Sequence, residues 1–227
     1  MTSKLAVIPA RGGSTRLKGK NIHPVAGKPL IQYTIEAVLE ADCFDHVLVS
    51  TDSPDIADIA KGLGVEVYDR PDEYAGSRVT VVDALLAMME EPDPYDIFAY
   101  FLPTCPFRNA EDIKEGVALL TEEVDSVISI SEYSEPPQLA LLKKGDDIIP
   151  MFDNLKAGLT NSLYMTKNYK KNGGYYMGWW NRIVENRNFF TGNIKGFEIP
   201  KNRIVDIDDK FDITFAELVL ARLAKND

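Results

Sequence analysis

Leu5-Ala6-Val7-Ile8-Pro9 is an unbroken apolar run that gives way at once to Ala10-Arg11-Gly12-Gly13-Ser14. A strand buried on both faces produces such a run, and a parallel strand commonly hands over to a helix through a glycine-bearing loop. After Pro29 the spacing changes. Leu30, Ile31, Thr34, Ile35, Val38 and Leu39 recur at i, i+3 and i+4, which predicts a helix. The alternation then repeats. Val47–Val49 predicts a second strand, 56–62 a short helix, and 65–68 a third strand. Val79–Met89 follows as a helix with its stripe at Val82, Leu85, Leu86 and Met89, and Ile97–Leu102 as a strongly apolar fourth strand. Asn109 with Asp112 three residues on predicts an N-capped helix running through Leu120, and 124–131 a fifth strand. Strands and helices in this order predict an α/β fold: an open, mostly parallel sheet with helices on both faces.

The pattern breaks after Ser131. Turn-rich clusters at 134–137, 143–147 and 170–174 mark residues 133–173 as an excursion from the sheet. The main pattern returns with Tyr175–Met177 and 194–199, and 204–208 reads as a last strand edge. Phe211, Phe215, Leu218, Val219 and Leu223 predict a closing amphipathic helix. There is no repeat and no linker composition, so residues 1–227 read as a single domain carrying that excursion.

Composition narrows the function. Twenty-five Lys and Arg against thirty-five Asp and Glu give a net charge of −10, which argues against nucleic-acid binding through a broad basic face. No polybasic cluster suits an anionic membrane, and no apolar stretch nears the ~20 residues of a membrane span. Residues 1–4 are polar and lead straight into a strand, so the sequence predicts no signal peptide and a cytoplasmic location. Cys43 and Cys105 fit no zinc or disulfide spacing and read as free thiols.

Against that acidic background the first loop inverts the sign. Arg11, Arg16, Lys18 and Lys20 place four cations within ten residues, beside Gly12 and Gly13, whose backbone can approach a ligand and offer N–H groups. The loop leaves the carboxyl edge of the first strand, where open parallel sheets bind ligands. A polyanion such as a nucleoside triphosphate is the indicated ligand; a merely solvated basic loop is the alternative. Neither a Walker A loop nor GxGxxG is present. In Val205-Asp206-Ile207-Asp208, an extended backbone projects Asp206 and Asp208 to one side. Paired carboxylates of this kind suit Mg²⁺, which takes one or two carboxylates plus substrate phosphates. The plain alternative is a pair of acids at a helix start. Asp52 reads equally as a metal or sugar ligand and as part of a helix start before Pro54, and Arg70 follows the third strand at the binding edge. His23 and His46 lack metal-site partners, and Trp179-Trp180 reads as core.

Taken as blocks, the chain resembles the acylneuraminate (CMP-sialic acid) cytidylyltransferases and the related synthetases of other CMP-nonulosonates and CMP-octulosonates. The resemblance rests on Ile8-Pro9-Ala10-Arg11-Gly12-Gly13-Ser14, Arg16-Leu17-x-Gly-Lys20-Asn21-Ile22 and Gly27-Lys28-Pro29-Leu30. It continues through Val49-Ser50-Thr51-Asp52, Gly64–Val67, Arg70-Pro71, Pro103–Arg108, Asn172-Gly173 and Asp206-Ile207-Asp208. The resemblance implies a Rossmann-like three-layer α/β/α fold whose 133–173 segment protrudes and exchanges across a homodimer. It implies that CTP and an acidic sugar become a CMP-sugar and pyrophosphate with Mg²⁺. By the same resemblance Ala10 to Ser14 and Arg16 cradle the nucleotide, with Arg11 and Lys20 on the triphosphate and Arg70 and Thr80 around the cytosine. Asp206 and Asp208 hold metal, with Asp208 beside Arg11 and Lys20 in the catalytic set. Asn21 and Asn172 lie near the ribose or the acceptor; apart from the resemblance, Lys170, with Lys167 and Lys171, reads as positive charge for an acceptor acid.

The sequence also departs from the family pattern. Thr15 stands where a lysine is usual, Leu102 where a glutamine is usual, and Cys105 where a serine is usual. Leu139 and Asn161 likewise replace acceptor-side residues. The nucleotide half is kept and the acceptor half altered. Another acid, another nucleotide such as GTP, or a non-catalytic nucleotide-binding protein therefore remain as alternatives.

Overall fold

The computed structural model describes residues 2–76, 79–89 and 95–225. Its centre is strand β1, Lys4–Pro9, whose alternate side chains feed two different cores. Ala6 and Ile8 join Ile31, Ile35, Phe101, Ile113 and Tyr175 on one face, while Leu5 and Val7 join Leu85, Leu86, Phe98, Tyr100 and Trp180 on the other. A strand with cores on both sides needs the continuous apolar run seen here rather than an alternating one.

Six further strands complete the sheet: β2 His46–Thr51, β3 Glu66–Asp69, β4 Ile97–Tyr100, β5 Ser126–Glu132, β6 Tyr169–Trp179 and β7 Ile194–Glu198. Their order is β7-β5-β6-β4-β1-β2-β3. β1 pairs in parallel with β2 and β4, with Ile8 opposite Val49 and Val7 opposite Tyr100, and β2 pairs in parallel with β3. β5 and β7 are also parallel to each other. β6 is the exception, running antiparallel to both β4 and β5. The sheet is thus mostly parallel with one reversed strand. The reversal follows from the excursion, which brings the chain back without a crossover helix.

Helices Leu30–Ala41, Pro54–Gly62, Val81–Met89 and Ala110–Leu119 fall where the periodicity puts them. Asn109 caps the last of these in full: its side chain accepts from Asp112 N–H and the Asp112 carboxylate accepts from Asn109 N–H. In the Val81–Met89 stripe Leu85 and Leu86 are buried, whereas the Met89 side chain lies outside what is described, as does Met1.

Three expectations need correction. Residues 204–208 form no strand; they are extended but lie beside the sheet rather than in it. Pairing resumes at Tyr169, opposite Glu132, so the last residues of the 133–173 excursion belong to β6. In the closing helix, Lys210–Leu223, the buried face is Ile213 and Ala216, while Phe211, Phe215 and Leu218 are exposed. Apolar residues occupy most of that helix's circumference, so spacing alone does not select the inward face. The helix Trp180–Asn186 was not foreseen, nor was the single turn Asp72–Ala75; Trp180 at the start of the longer one is core, packing against Phe98.

The excursion is small and irregular. A hairpin of 141–144 and 147–150 and two short turns, at 153–156 and 162–164, make up its regular part. It leaves Ile148, Leu159, Leu163 and Tyr164 exposed, the last two by 86% and 88%. No helix among the described residues is long and apolar enough to cross a membrane.

Candidate active site

A third, smaller apolar cluster assembles the site. Leu17 of the first loop, Phe107, and Val205 and Ile207 from the 204–208 segment pack together with Ile213 and Ala216 of the closing helix. Leu17 lies between the cationic residues 16 and 18, and Ile207 lies between the two aspartates. Burying each aliphatic side chain contributes on the order of 1.5–3 kcal/mol. Segments far apart in the chain are thereby held side by side, with their charged neighbours turned out of the cluster.

Arg16, Asp206 and Asp208 border one cleft of about 350 Å³ at the carboxyl edge of β1. Arg11, Arg16, Lys20 and Asn21 lie on one side, and Asp206 and Asp208 on another. The opposing charges touch. Arg16 Nη1 lies 2.8 Å from one Asp208 oxygen and Lys20 Nζ 2.9 Å from the other. The Lys20 side chain is 15% exposed and that of Arg16 68%. Lys18 points to solvent and does not line the cleft.

The loop is shaped by hydrogen bonds, most of them to distant parts of the chain. Asn21 Nδ2 donates to the Arg11 carbonyl at 3.0 Å, and Arg11 Nη1 reaches the Gly76 carbonyl at 3.4 Å. Gly12 N–H donates to Asp52 Oδ1 at 2.8 Å. That N–H is therefore not available to an anion, contrary to the expectation for Gly12, and Asp52 serves the loop, with Pro54 opening the next helix. Gly12 is required for a steric reason: a Cβ there would sit 2.9 Å from the Ser53 Cβ. Gly13 is exposed with open space around it, and Ser14 lines the cleft. Ala10 is fully buried and its N–H bonds the Ser50 carbonyl, so it anchors the loop to β2. Gly19, with φ +65°, is the residue whose backbone needs glycine; it opens the short turn Lys20–Ile22 that presents Lys20 and Asn21.

Arg70 forms the floor at the far end. It is 7% exposed, and its guanidinium donates to the Ser50 hydroxyl and carbonyl at 3.2 and 2.9 Å. Burial lowers its pKa from the usual arginine value, with Arg11 adding to this and Asp52 opposing it. Tyr74, Val79 and Thr80 close that end. Thr80 and Asp83 cap the following helix reciprocally, the hydroxyl donating to the carboxylate at 2.7 Å. Tyr74 and Val79 carried no signal in the sequence pattern; their nearness to Arg70 and Thr80 was the one available hint.

Leu102, Pro103 and Thr104 supply the third wall. The loop behind them is tied down by fully buried Arg108, which donates to the carbonyls of Cys105 and Leu102 and to the Thr34 hydroxyl. Burial pulls the Arg108 pKa down to about 10. Cys105 is buried and donates to the Asn172 carbonyl, and burial pushes its thiol up to about 12, so it is no nucleophile. Asn172 and Lys170 do not border the cleft. Asn172 is buried beneath it with its side-chain oxygen on Ser129 and its Nδ2 unbonded, and Lys170 is exposed on β6 near the Tyr133 ring.

Among the described residues no group of three or more His, Cys, Asp or Glu is placed to hold a metal. Among the described residues lining the cleft, the carboxylates are Asp206 and Asp208. Two carboxylates are too few for a closed protein site but suit a hard divalent cation that takes its other ligands from phosphates and water.

The cytidylyltransferase family model matches residues 5–142. CMP-N,N'-diacetyllegionaminic acid synthase of Legionella pneumophila is 34% identical, with 95% of each chain covered. Pseudaminic acid cytidylyltransferase of Campylobacter jejuni is 31% identical at the same coverage. The N-acylneuraminate cytidylyltransferase of Escherichia coli is 30% identical, and this chain spans 51% of its length. In fold, the chain is similar to CMP:2-keto-3-deoxy-manno-octonic acid synthetase complexed with CTP, at a TM-score of 0.71 and 18% identity over 98% of this chain and 100% of that one. It is also similar to 4-diphosphocytidyl-2C-methyl-D-erythritol synthase of Anaerococcus prevotii, at 0.68 and 17% over 97% and 99%. These likenesses fix the architecture as Rossmann-like. With the family model covering the cationic loop, Arg70 and the 103–108 wall, the chain belongs to the cytidylyltransferase family.

Proposed function

We propose that the protein transfers a cytidylyl group from CTP to an acidic nonulosonate sugar, giving a CMP-sugar and pyrophosphate. The observation that carries this is the contact of Arg16 and Lys20 with Asp208 across a cleft floored by Arg70. The anomeric hydroxyl of the sugar attacks the α-phosphorus. One P–O bond forms, the bond to the bridging oxygen breaks, and pyrophosphate leaves. Charge develops on the phosphoryl oxygens and on the leaving group, so catalysis is chiefly positioning and electrostatic stabilisation.

Arg11, Arg16 and Lys20 supply fixed positive charge where the triphosphate lies, and Ser14 hydrogen-bonds it. Arg70 and Thr80 face the base. Asn21 holds the Arg11 carbonyl and thereby the turn of the loop, leaving its oxygen for ribose or acceptor. Asp206 and Asp208 would hold Mg²⁺, which neutralises phosphate charge when bound. Among the described residues lining the cleft there is no histidine or cysteine, and in this reading the hydroxyl proton passes to the carboxylate pair. Leu102 in the wall favours an acceptor that places an apolar group there, consistent with relatives named for legionaminic and pseudaminic acids rather than for N-acylneuraminate alone.

The working unit in this reading is a cytoplasmic homodimer. The exposed Ile148, Leu159, Leu163 and Tyr164 of the excursion pack on a second copy, and Lys170 and Asn172 meet the acceptor from that side of the site. Pyrophosphate release, measured with each of four nucleoside triphosphates against a panel of nonulosonic and octulosonic acids, tests the reaction. Release with CTP and one nonulosonate is the expected result. Release with GTP alone refutes the nucleotide assignment, and none with any pair refutes catalysis.

A further inference from the structure

The segment bearing Asp206 and Asp208 has no strand partner, so its position must be fixed by other means. Downstream, the Asp212 carboxylate accepts from Asp208 N–H at 2.8 Å, and Ile207 N–H bonds the Thr104 carbonyl at 2.8 Å. Upstream stands Arg203, at the end of the short turn Lys201–Arg203. Its Nη1 and Nη2 meet the two oxygens of Asp112 at 2.6 and 2.8 Å. Nη1 also lies 3.5 Å from the Phe107 carbonyl. Asp112 is 5% exposed, and the oxygen that takes Nη1 also accepts from Asn109 N–H at 2.9 Å. One buried carboxylate therefore joins the end of the loop that gives Pro103 and Thr104 to the cleft with a residue just upstream of Asp206.

We propose that Arg203 and Asp112 are positioning residues for the Asp206–Asp208 pair, an inference that rests on the cytidylyl-transfer reading. A two-pronged arginine–carboxylate fork fixes orientation as well as distance, and lysine at the same place keeps the charge but loses the plane. Buried ion pairs add little net stability because their desolvation cost offsets the attraction. Fixed geometry is what this one contributes. Neither residue borders the cleft, so the fork reaches the reaction through the segments it joins, the end of the 103–108 loop and the carboxylates downstream of Arg203.

The test uses the full chain with Arg203→Lys and Asp112→Asn. Mn²⁺ is titrated calorimetrically in the presence of CTP, CTP alone in EDTA, and turnover and melting temperature are recorded. Partners of metal-ligating groups usually cost about 10- to 100-fold in metal affinity or activity when changed. Arg203→Lys is expected to lower Mn²⁺ affinity about 10-fold and kcat with it, to leave CTP affinity in EDTA unchanged, and to regain turnover at higher Mn²⁺. The double variant should be no worse than the weaker single one. A folded Arg203→Lys protein with wild-type Mn²⁺ affinity and kcat overturns the proposal, even if its melting temperature has dropped. Should Asp112→Asn fail to fold through loss of its cap, Arg203→Lys still decides. A wild-type protein that binds CTP but no Mn²⁺ refutes the metal reading itself, which separates the two failures.

Discussion

In the proposed reaction Asp208 both serves the chemistry and opposes the triphosphate, and that conflict is measurable. Both of its oxygens are occupied by loop cations, Arg16 at 2.8 Å and Lys20 at 2.9 Å. An incoming triphosphate must draw those cations away and bear the nearby negative charge. The Arg16 pair is mostly solvated and contributes about 0.2–1 kcal/mol. Lys20 is largely shielded, and a hydrogen bond between charged partners contributes about 1.5–3 kcal/mol. Part of that is recovered when the amine meets phosphate, so the net obstacle is about 1–2 kcal/mol, roughly a factor of 5–30. Asp208→Asn removes the charge while leaving the Asp209–Asp212 cap of the closing helix in place. Calorimetry of CTP in EDTA should then show tighter binding than wild type by that factor. Turnover with Mg²⁺ should be lost, and Mg²⁺ should no longer improve CTP binding. Weaker metal-free CTP binding by Asp208→Asn would refute the reasoning, because it would mean that the carboxylate helps to hold the loop rather than competing with the nucleotide for it.

Three further outcomes are expected. Arg70→Met, which keeps the bulk of a buried side chain but loses its bonds to Ser50, should cost about 1–3 kcal/mol in CTP affinity; an unchanged dissociation constant removes Arg70 from the site. Labelling of the native protein with a thiol reagent near neutral pH should spare Cys105, whose thiol is buried and raised to about 12, and mass spectrometry showing rapid modification there contradicts the packing. Leu163→Lys with Tyr164→Lys should convert a dimer to a monomer in light scattering, since both side chains are almost fully exposed in the single chain; unaltered mass places the interface elsewhere.

Much of the sheet was legible because β1 and β4 are buried on both faces and keep their apolar runs unbroken, while β2 keeps a short one at Val47, Leu48 and Val49. What could not be read was direction and side. Nothing in Tyr175–Met177 distinguishes a strand antiparallel to both neighbours from a parallel one, since burial on both faces looks the same in either case. The closing helix carries apolar residues on most of its surface, so only the position of the Leu17–Phe107–Ile207 cluster decides that Ile213 and Ala216 turn inward.

The site itself was legible in part for a physical reason. Clustered cations in an acidic chain, and two acids spaced by one apolar residue, are each costly to leave without a partner of opposite sign. Their meeting across the cleft follows from that electrostatic need together with the packing of Leu17 against Ile207. The supporting parts were not legible, because their partners are remote in sequence and carry no periodicity. Asp52 reaches back to Gly12, and Asp112 reaches forward to Arg203. From the sequence Asp112 is simply the third residue of a capped helix; only the fold adds the guanidinium that ties the same carboxylate to the turn preceding Asp206 and Asp208.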